Sequence, residues 1–317
     1  MPNYQGVWSL STQYQYRTNW PVFSTRGVFT GGNAGGVASY NVMEFITIET
    51  TGDATDFGDM NTGRQYHASC SSSTRGVTAG GSVSGSGTSN EIEFITIATT
   101  GNGTDFGDLV AAASYINGCS NNTRGLFSLT RLVSSTADTI EYITIASAGN
   151  TTDFGDSTVA RYTGASGLNS TTRGLWAGGT GASGATDVID YVTIGSTGNA
   201  TDFGDLSQAR NTSPAGASSN TRGLIFGGSY QNYIDYITIG STGDATDFGD
   251  LTQVIGFTSA TSSNIRAVRI AGFTGAAYSD VIDYVTIAST GNATDFGDIT
   301  DGTYGGASFS SGHGGIG

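Results

Sequence analysis

The chain has 317 residues, 50 of them glycine and only 3 proline, with a formal net charge of −14 at pH 7. All 12 basic residues are arginine and form no cluster, which argues against a nucleic-acid partner, since phosphate neutralisation supplies most of that affinity. No apolar run approaches the length of roughly 18 residues that a membrane span needs.

The opening Met1-Pro2-Asn3-Tyr4-Gln5-Gly6 has neither the charged nor the apolar region of a secretory signal, so synthesis and assembly in a cytoplasm are expected. Residues 1–22 match nothing downstream and read as an attachment segment with Trp8 and Trp20 as apolar anchors. From residue 23 to 317 three markers recur. Thr-Arg-Gly followed by apolar residues carries Arg26, Arg75, Arg124, Arg173 and Arg222, with a degenerate copy at Arg266. Next comes an acid beside an aromatic in a β-branched run, as in Glu44-Phe45-Ile46-Thr47-Ile48. Third is Thr-Asp-Phe-Gly-Asp, with Phe57, Phe106, Phe154, Phe203, Phe248 and Phe296. In all six copies the strand aromatic precedes this Phe by 12 residues.

Each marker reads as a strand, and the Ser/Ala/Gly-rich stretch before each Thr-Arg-Gly, such as 161–168, supplies another whose small side chains suit a crowded inner edge. A period near 50 residues with four strands per unit predicts an all-β fold, a six-bladed propeller with four antiparallel strands in each blade. The first copy has Trp20-Pro21 where the small-residue strand belongs, whereas Gly305-Gly306-Ala307-Ser308-Phe309-Ser310-Ser311 matches it. The C-terminal strand is therefore expected to complete the first blade and remove the open sheet ends.

The di-glycines Gly31-Gly32, Gly80-Gly81, Gly178-Gly179 and Gly227-Gly228, each followed by a strand aromatic and a later large aromatic, resemble kelch repeats. The third copy departs with Leu129-Thr130, the sixth keeps only Ala271-Gly272, and Phe stands where kelch units usually carry Trp. An arginine that kelch units often carry at the start of the inner strand is present at Arg64, Arg161 and Arg210 only. The repeat is also similar to those of virion-associated proteins of marine bacteriophages, especially cyanophages, as is the opening Tyr4-Gln5-Gly6-Val7-Trp8-Ser9-Leu10. That resemblance implies a virion component: a tail fibre, a receptor-binding tip or a decoration. It would contact other virion proteins through its N-terminal segment.

Six copies of an arginine and a strand acid are too many for one active site. They are expected to form structural ion pairs: Arg26 with Glu44, Arg75 with Glu93, Arg124 with Glu141, Arg173 with Asp190, Arg222 with Asp235, and Arg266 with Asp283. Asp-Phe-Gly lacks the other kinase motifs and reads as a turn, with Phe between blades and Gly at positive φ. Asp53, Asp56 and Asp59 have carboxylates that suit calcium, but Asx turns account for their spacing without a metal. Cys70 and Cys119 occupy equivalent positions and are expected as buried thiols. Two histidines, His67 and His313, do not suffice for the copper site of propeller oxidases, and no catalytic constellation stands out, so neither an enzyme nor a cofactor is expected.

Length and content vary most in the segments after the di-glycines: 33–41, 82–90, 131–138, 180–187, 229–232 and 273–280. Their Tyr40, Tyr230, Tyr233 and Tyr278 amid Gly, Ser, Thr and Asn have the composition of surfaces that bind proteins or glycans; solvated loops have it too. The aromatics Tyr66, Tyr115, Tyr162, Phe257 and Tyr304 are expected on the inner strands, either lining a channel mouth or packing. Three functions fit: host adsorption through these loops, purely structural decoration of the particle, or a free bacterial lectin-like protein.

Overall fold

The computed structural model describes residues 25–35, 37–132 and 136–316. The expected attachment segment, with Trp8 and Trp20, lies outside the described residues. Those residues fold as 29 β-strands in a propeller-like arrangement, and no helix among them is long and apolar enough to cross a membrane.

From the second repeat to the sixth, the chain lays down antiparallel strands in the order inner, second, third, outer. The fourth repeat has Ser166–Asn169, Arg173–Ala177, Gly184–Thr193 and Thr201–Arg210. After its arginine, Arg173–Ala177 is buried on both faces, as befits a strand between two layers. Thr201–Arg210 exposes most of its length. Hydrogen bonding divides the described residues into one eight-stranded, one five-stranded, three four-stranded and two two-stranded sheets. The eight-stranded sheet joins the last repeat to the first through Asn33 opposite Tyr304 and Ala34 opposite Thr303. It also holds Ala307–Ser310, which pairs with Arg26–Ala34 with Gly27 opposite Ser310.

The core lies between adjacent repeats. One apolar cluster joins Cys119, Leu126 and Phe154 of the third repeat to Trp176, Val192 and Ile194 of the fourth, and another joins Ile270, Ile282 and Phe296 of the sixth to Phe29, Ile46 and Ile48 of the first. The marker Phe reaches these cores because it sits at a β-bulge rather than the expected turn: Asp202 pairs with Asp190 and Gly204 with Ile189, leaving Phe203 as the extra residue that swings inward. The following glycine adopts φ of +137 to +147° in all six copies, and a Cβ there would strike the backbone of the neighbouring repeat's turn. That contact carries a bond as well. Gly52, Gly101, Gly149, Gly198, Gly243 and Gly291 donate their N–H to the marker Phe carbonyls of the preceding repeats at 2.7–2.8 Å, Gly52 receiving Phe296 as its partner.

None of the expected arginine–acid pairs forms among the described residues; four of the six acids pair with other arginines. Arg173 lies opposite Thr193, so its side chain shares a face with Tyr191, while Asp190 lies opposite Trp176 on the other face. The repeat arginines Arg26, Arg75, Arg124, Arg173, Arg222 and Arg266 accordingly lie over Phe45, Phe94, Tyr142, Tyr191, Tyr236 and Tyr284, at 4.2–4.6 Å from the ring centres. Each also donates to the carbonyl of an isoleucine in the next repeat at 2.8–3.0 Å, ending with Arg266 on Ile48.

The acids, at most 4% exposed, take other cations. Glu93 pairs with Arg64, Asp190 with Arg161 at 2.7 Å, Asp235 with Arg210 at 2.8 Å, and Asp283 with Arg269. The same guanidinium groups donate to carbonyls of the double-glycine turn and of the residue two before the acid. Arg64, for example, donates to Gly80 and Glu91, and Arg210 to Gly227 and Tyr233. Glu44 and Glu141 instead accept from Thr300 and from Val110 and Thr151. Burial raises the Glu141 carboxyl above its ordinary range. In every repeat the acid accepts from the residue four beyond the preceding marker Phe: Asn61, Val110, Thr158, Ser207, Thr252 and Thr300. The acids thus latch one repeat to the next.

Candidate functional site

Because the strands alternate in direction, the residues entering each inner strand and the segments after the double glycines share one face. The inner strands approach so closely that a Cβ at Gly118 or Gly167 would collide with the carbonyl of Ser69 or Gly118. At their far ends a hydroxyl circuit runs around the axis. Ser71 donates to the carbonyl of Ser310, Ser310 to Ser262, Ser262 to Ser218, Ser218 to Asn169, and Ser120 to Ser71, at 2.5–2.8 Å. Asn169 interrupts the serines, and its amide instead donates to His313 Nδ1 at 2.8 Å. His313 Nε2 faces the Ser71 carbonyl at 3.1 Å and so carries the proton. Burial lowers its pKa to about 4, leaving it neutral at pH 7. The tail that carries His313 covers this end of an axial cavity of about 120 Å³.

The opposite, loop-side end holds an aromatic cluster. Tyr66 stacks on Tyr115 with ring centres 4.0 Å apart and touches Phe257 and Tyr304 edgewise or tilted at 5.7 and 6.0 Å. Tyr230, Phe273 and Tyr278 extend the cluster outward through Phe257 and Tyr304. Of the four tyrosines marked as ligand candidates, Tyr230 and Tyr278 therefore join it. Tyr40 donates instead to Asp301 at 2.8 Å and, through burial and that carboxylate, has its pKa raised to about 12. Tyr233 stays on its strand with its carbonyl held by Arg210. Tyr162 is exposed.

The residue two before each inner strand is Tyr66, Tyr115, Gly164, Ser213, Phe257 or Gly305, in chain order. Five of these six are left-handed, with φ of 57° at Tyr66, 58° at Tyr115, 46° at Ser213, 51° at Phe257 and 70° at Gly305. Holding a residue with a β-carbon there costs about 1–2 kcal/mol. Glycine meets this demand freely in one repeat, yet three repeats place a bulky aromatic on it. Aligning the copies on this position, rather than on the markers, would have singled out these rings from sequence.

Beneath the rings a cavity of about 50 Å³ is lined by Tyr66, Tyr115, Phe257, Gly164, Ser213 and His67, among others. His67 lies just before an inner strand. Its Nε2 lies 2.8 Å from Thr30 Oγ1, whose own hydrogen goes to the Ala307 carbonyl, so Nε2 is the donor. Nδ1 is left as a buried acceptor without a partner. Burial and the nearby Arg64 lower the His67 pKa to about 3, so the ring is neutral.

Among the described residues no three His, Cys, Asp or Glu side chains converge as metal ligands. At the outer turns, Asp53 and Asn102 accept from the backbone N–H groups of Asp298 and Asp59 in the preceding repeat at 3.1 Å, an inter-repeat contact rather than the expected local Asx turn. Cys70 and Cys119 are free and buried, and burial raises both thiols well above their ordinary range. No protein-family model matches the chain, and a search of the curated proteins finds no significant match.

Proposed function

We propose that the chain is a closed six-bladed kelch-like propeller that serves, without catalysis, as an adsorption component of a phage particle, presenting its loop face to a ligand on the host surface. The six-blade reading treats the eight-stranded sheet as two blades joined at one corner, by Asn33–Tyr304 and Ala34–Thr303. Four inter-repeat patterns support it, made by the turn glycines, the repeat arginines, the latching acids and the inner serines. Each includes a link between the sixth repeat and the first, as in Arg266 to Ile48 and Ser310 to Ser262.

The binding role rests on one observation. The buried charges are consumed in holding the repeats together, while strained aromatic side chains gather on the face where the repeats differ. The assignment to a virion rests on the likeness of the repeat and of the opening segment to marine phage proteins. Residues 1–22 would attach the module to other virion proteins through Trp8 and Trp20.

The test is binding of the labelled full chain to host cells, compared with a variant in which 229–232 and 273–280 are replaced by the 82–90 segment. Saturable binding lost in that variant is the expected result. Absence of cell binding, with labelled protein placed on the capsid, would replace adsorption by decoration.

A further inference from the structure

We propose that the axial mouth on the loop face is a carbohydrate subsite that takes one neutral hexopyranose residue. The sugar's C–H face would lie against the wall of Tyr66, Tyr115, Phe257 and Tyr304, over the gap left by Gly164 and Ser213. This deepens the adsorption reading and rests on it. Three independent features define the ligand.

The first is shape. Aromatic residues occupy one side of the mouth and small ones the other, so the six equivalent positions make a wall and a notch instead of a filled ring. The 50 Å³ space beneath has room for a hydroxymethyl or hydroxyl substituent but not for a whole sugar ring, which must therefore rest above it.

The second is polarity. His67 is among the residues lining this space, and its buried Nδ1 has no partner, so a hydroxyl donor would be its complement. An aliphatic or aromatic peptide side chain would cover the wall and leave that acceptor unpaired. The third is charge. No carboxylate lines the mouth, and burial keeps the Tyr66 and Tyr115 phenols protonated, so the site offers neutral donors and ring faces. Arg131 lies 5.9 Å from the Tyr115 ring centre and is not among the residues lining the space. A ligand with an apolar face, a hydroxylated edge and no charge is a neutral sugar.

Saturation-transfer NMR on the full chain, with glucose, galactose, mannose and N-acetylglucosamine as separate probes, tests this. Ring C–H protons of at least one probe are expected to receive magnetisation from the aromatic protons. Ser213→Tyr fills the notch with a side chain that the fold already carries at the same backbone conformation in two other repeats, and should weaken binding roughly tenfold or more. Tyr115→Leu removes part of the wall and decides the matter if Ser213→Tyr does not fold. No transfer to any of the four sugars in the unaltered chain overturns the proposal, as does equal binding by a folded Ser213→Tyr. Cell binding that is lost on loop exchange but kept in Ser213→Tyr would leave the adsorption role standing and remove the subsite. Sugar binding without cell binding would do the reverse.

Discussion

Asp190 shows how much of this molecule is decided by side-chain parity. It sits between two arginines, Arg161 and Arg173, and only the face on which each lies determines which one it meets. Replacing Arg161 by Met strands a buried carboxylate and should cost about 3–5 kcal/mol in urea unfolding, while the Arg161→Met/Asp190→Leu pair should recover most of that loss. Arg173→Leu removes a ring contact and one hydrogen bond, and about 1–3 kcal/mol is expected. If Arg173 proves as costly as Arg161 and couples to Asp190, the exchanged pairing is wrong.

The two buried histidines predict a pH dependence. Their folded pKa values, about 3 for His67 and about 4 for His313, lie below the ordinary 6.5. Below 6.5 the unfolded chain therefore takes up protons that the folded chain refuses. Stability is full above pH 6.5 and falls on acidification towards pH 4 by about 1.4 kcal/mol per pH unit for each histidine. His313→Asn should reduce that slope by one histidine's share, measured from unfolding curves at several pH values. Glu141 acts in the opposite sense, because its raised pKa favours the protonated folded form as pH falls.

At the scale of elements, the sixth repeat carries an exchange between strands. Where three other repeats send an arginine from the end of the preceding outer strand (Arg161, Arg210) or from the segment after it (Arg64), this one has Ile255, and Arg269 on its own second strand reaches the same acid from directly opposite. The two solutions place a guanidinium against the same three groups: the carboxylate, the double-glycine carbonyl and the carbonyl two residues before the acid. Arg269→Ile should therefore be severely destabilising, and adding Ile255→Arg should restore at least half of the loss in a double-mutant cycle. Strict additivity would show that the two positions are not equivalent.

The strand order and the constant 12-residue interval were readable from sequence because both are local hairpin properties. The partners of the acids were not, because they lie across a strand or in a neighbouring repeat, at separations from 10 residues for Thr151 and Glu141 to 256 for Thr300 and Glu44. Period-two parity separates Arg173 from Asp190 only once the register that sets Arg173 opposite Thr193 is known, and chain spacing alone does not give that register. The aromatic mouth was half legible. Its rings were noted, but the left-handed backbone that makes them informative has no signature in Tyr66, Tyr115 or Phe257 themselves.

For the whole molecule, the pairing of Ala307–Ser310 with Arg26–Ala34 makes the first repeat depend on the last. A chain ending at Gly305 would lose that strand, the Ser310 hydroxyl and the His313 contacts together. It should lose cooperative unfolding altogether rather than fray at one end, which calorimetry would show; an unchanged melting temperature would overturn the closed-ring proposal.

The same pairing sets an order of events during synthesis. Arg26 leaves the ribosome 285 residues before Ser311, whose hydroxyl accepts its backbone N–H. At roughly 5–20 residues per second, the edge of the first strand waits on the order of tens of seconds before its mate exists. Throughout that interval the edge is an open template, and the inner strand of a neighbouring nascent chain would fit it as well as its own. Crowded translation on one message therefore favours strand-exchanged dimers, and slow, dilute expression favours monomers. The covalent distance between two hydrogen-bonded strands becomes, in the cell, a dependence of assembly on concentration.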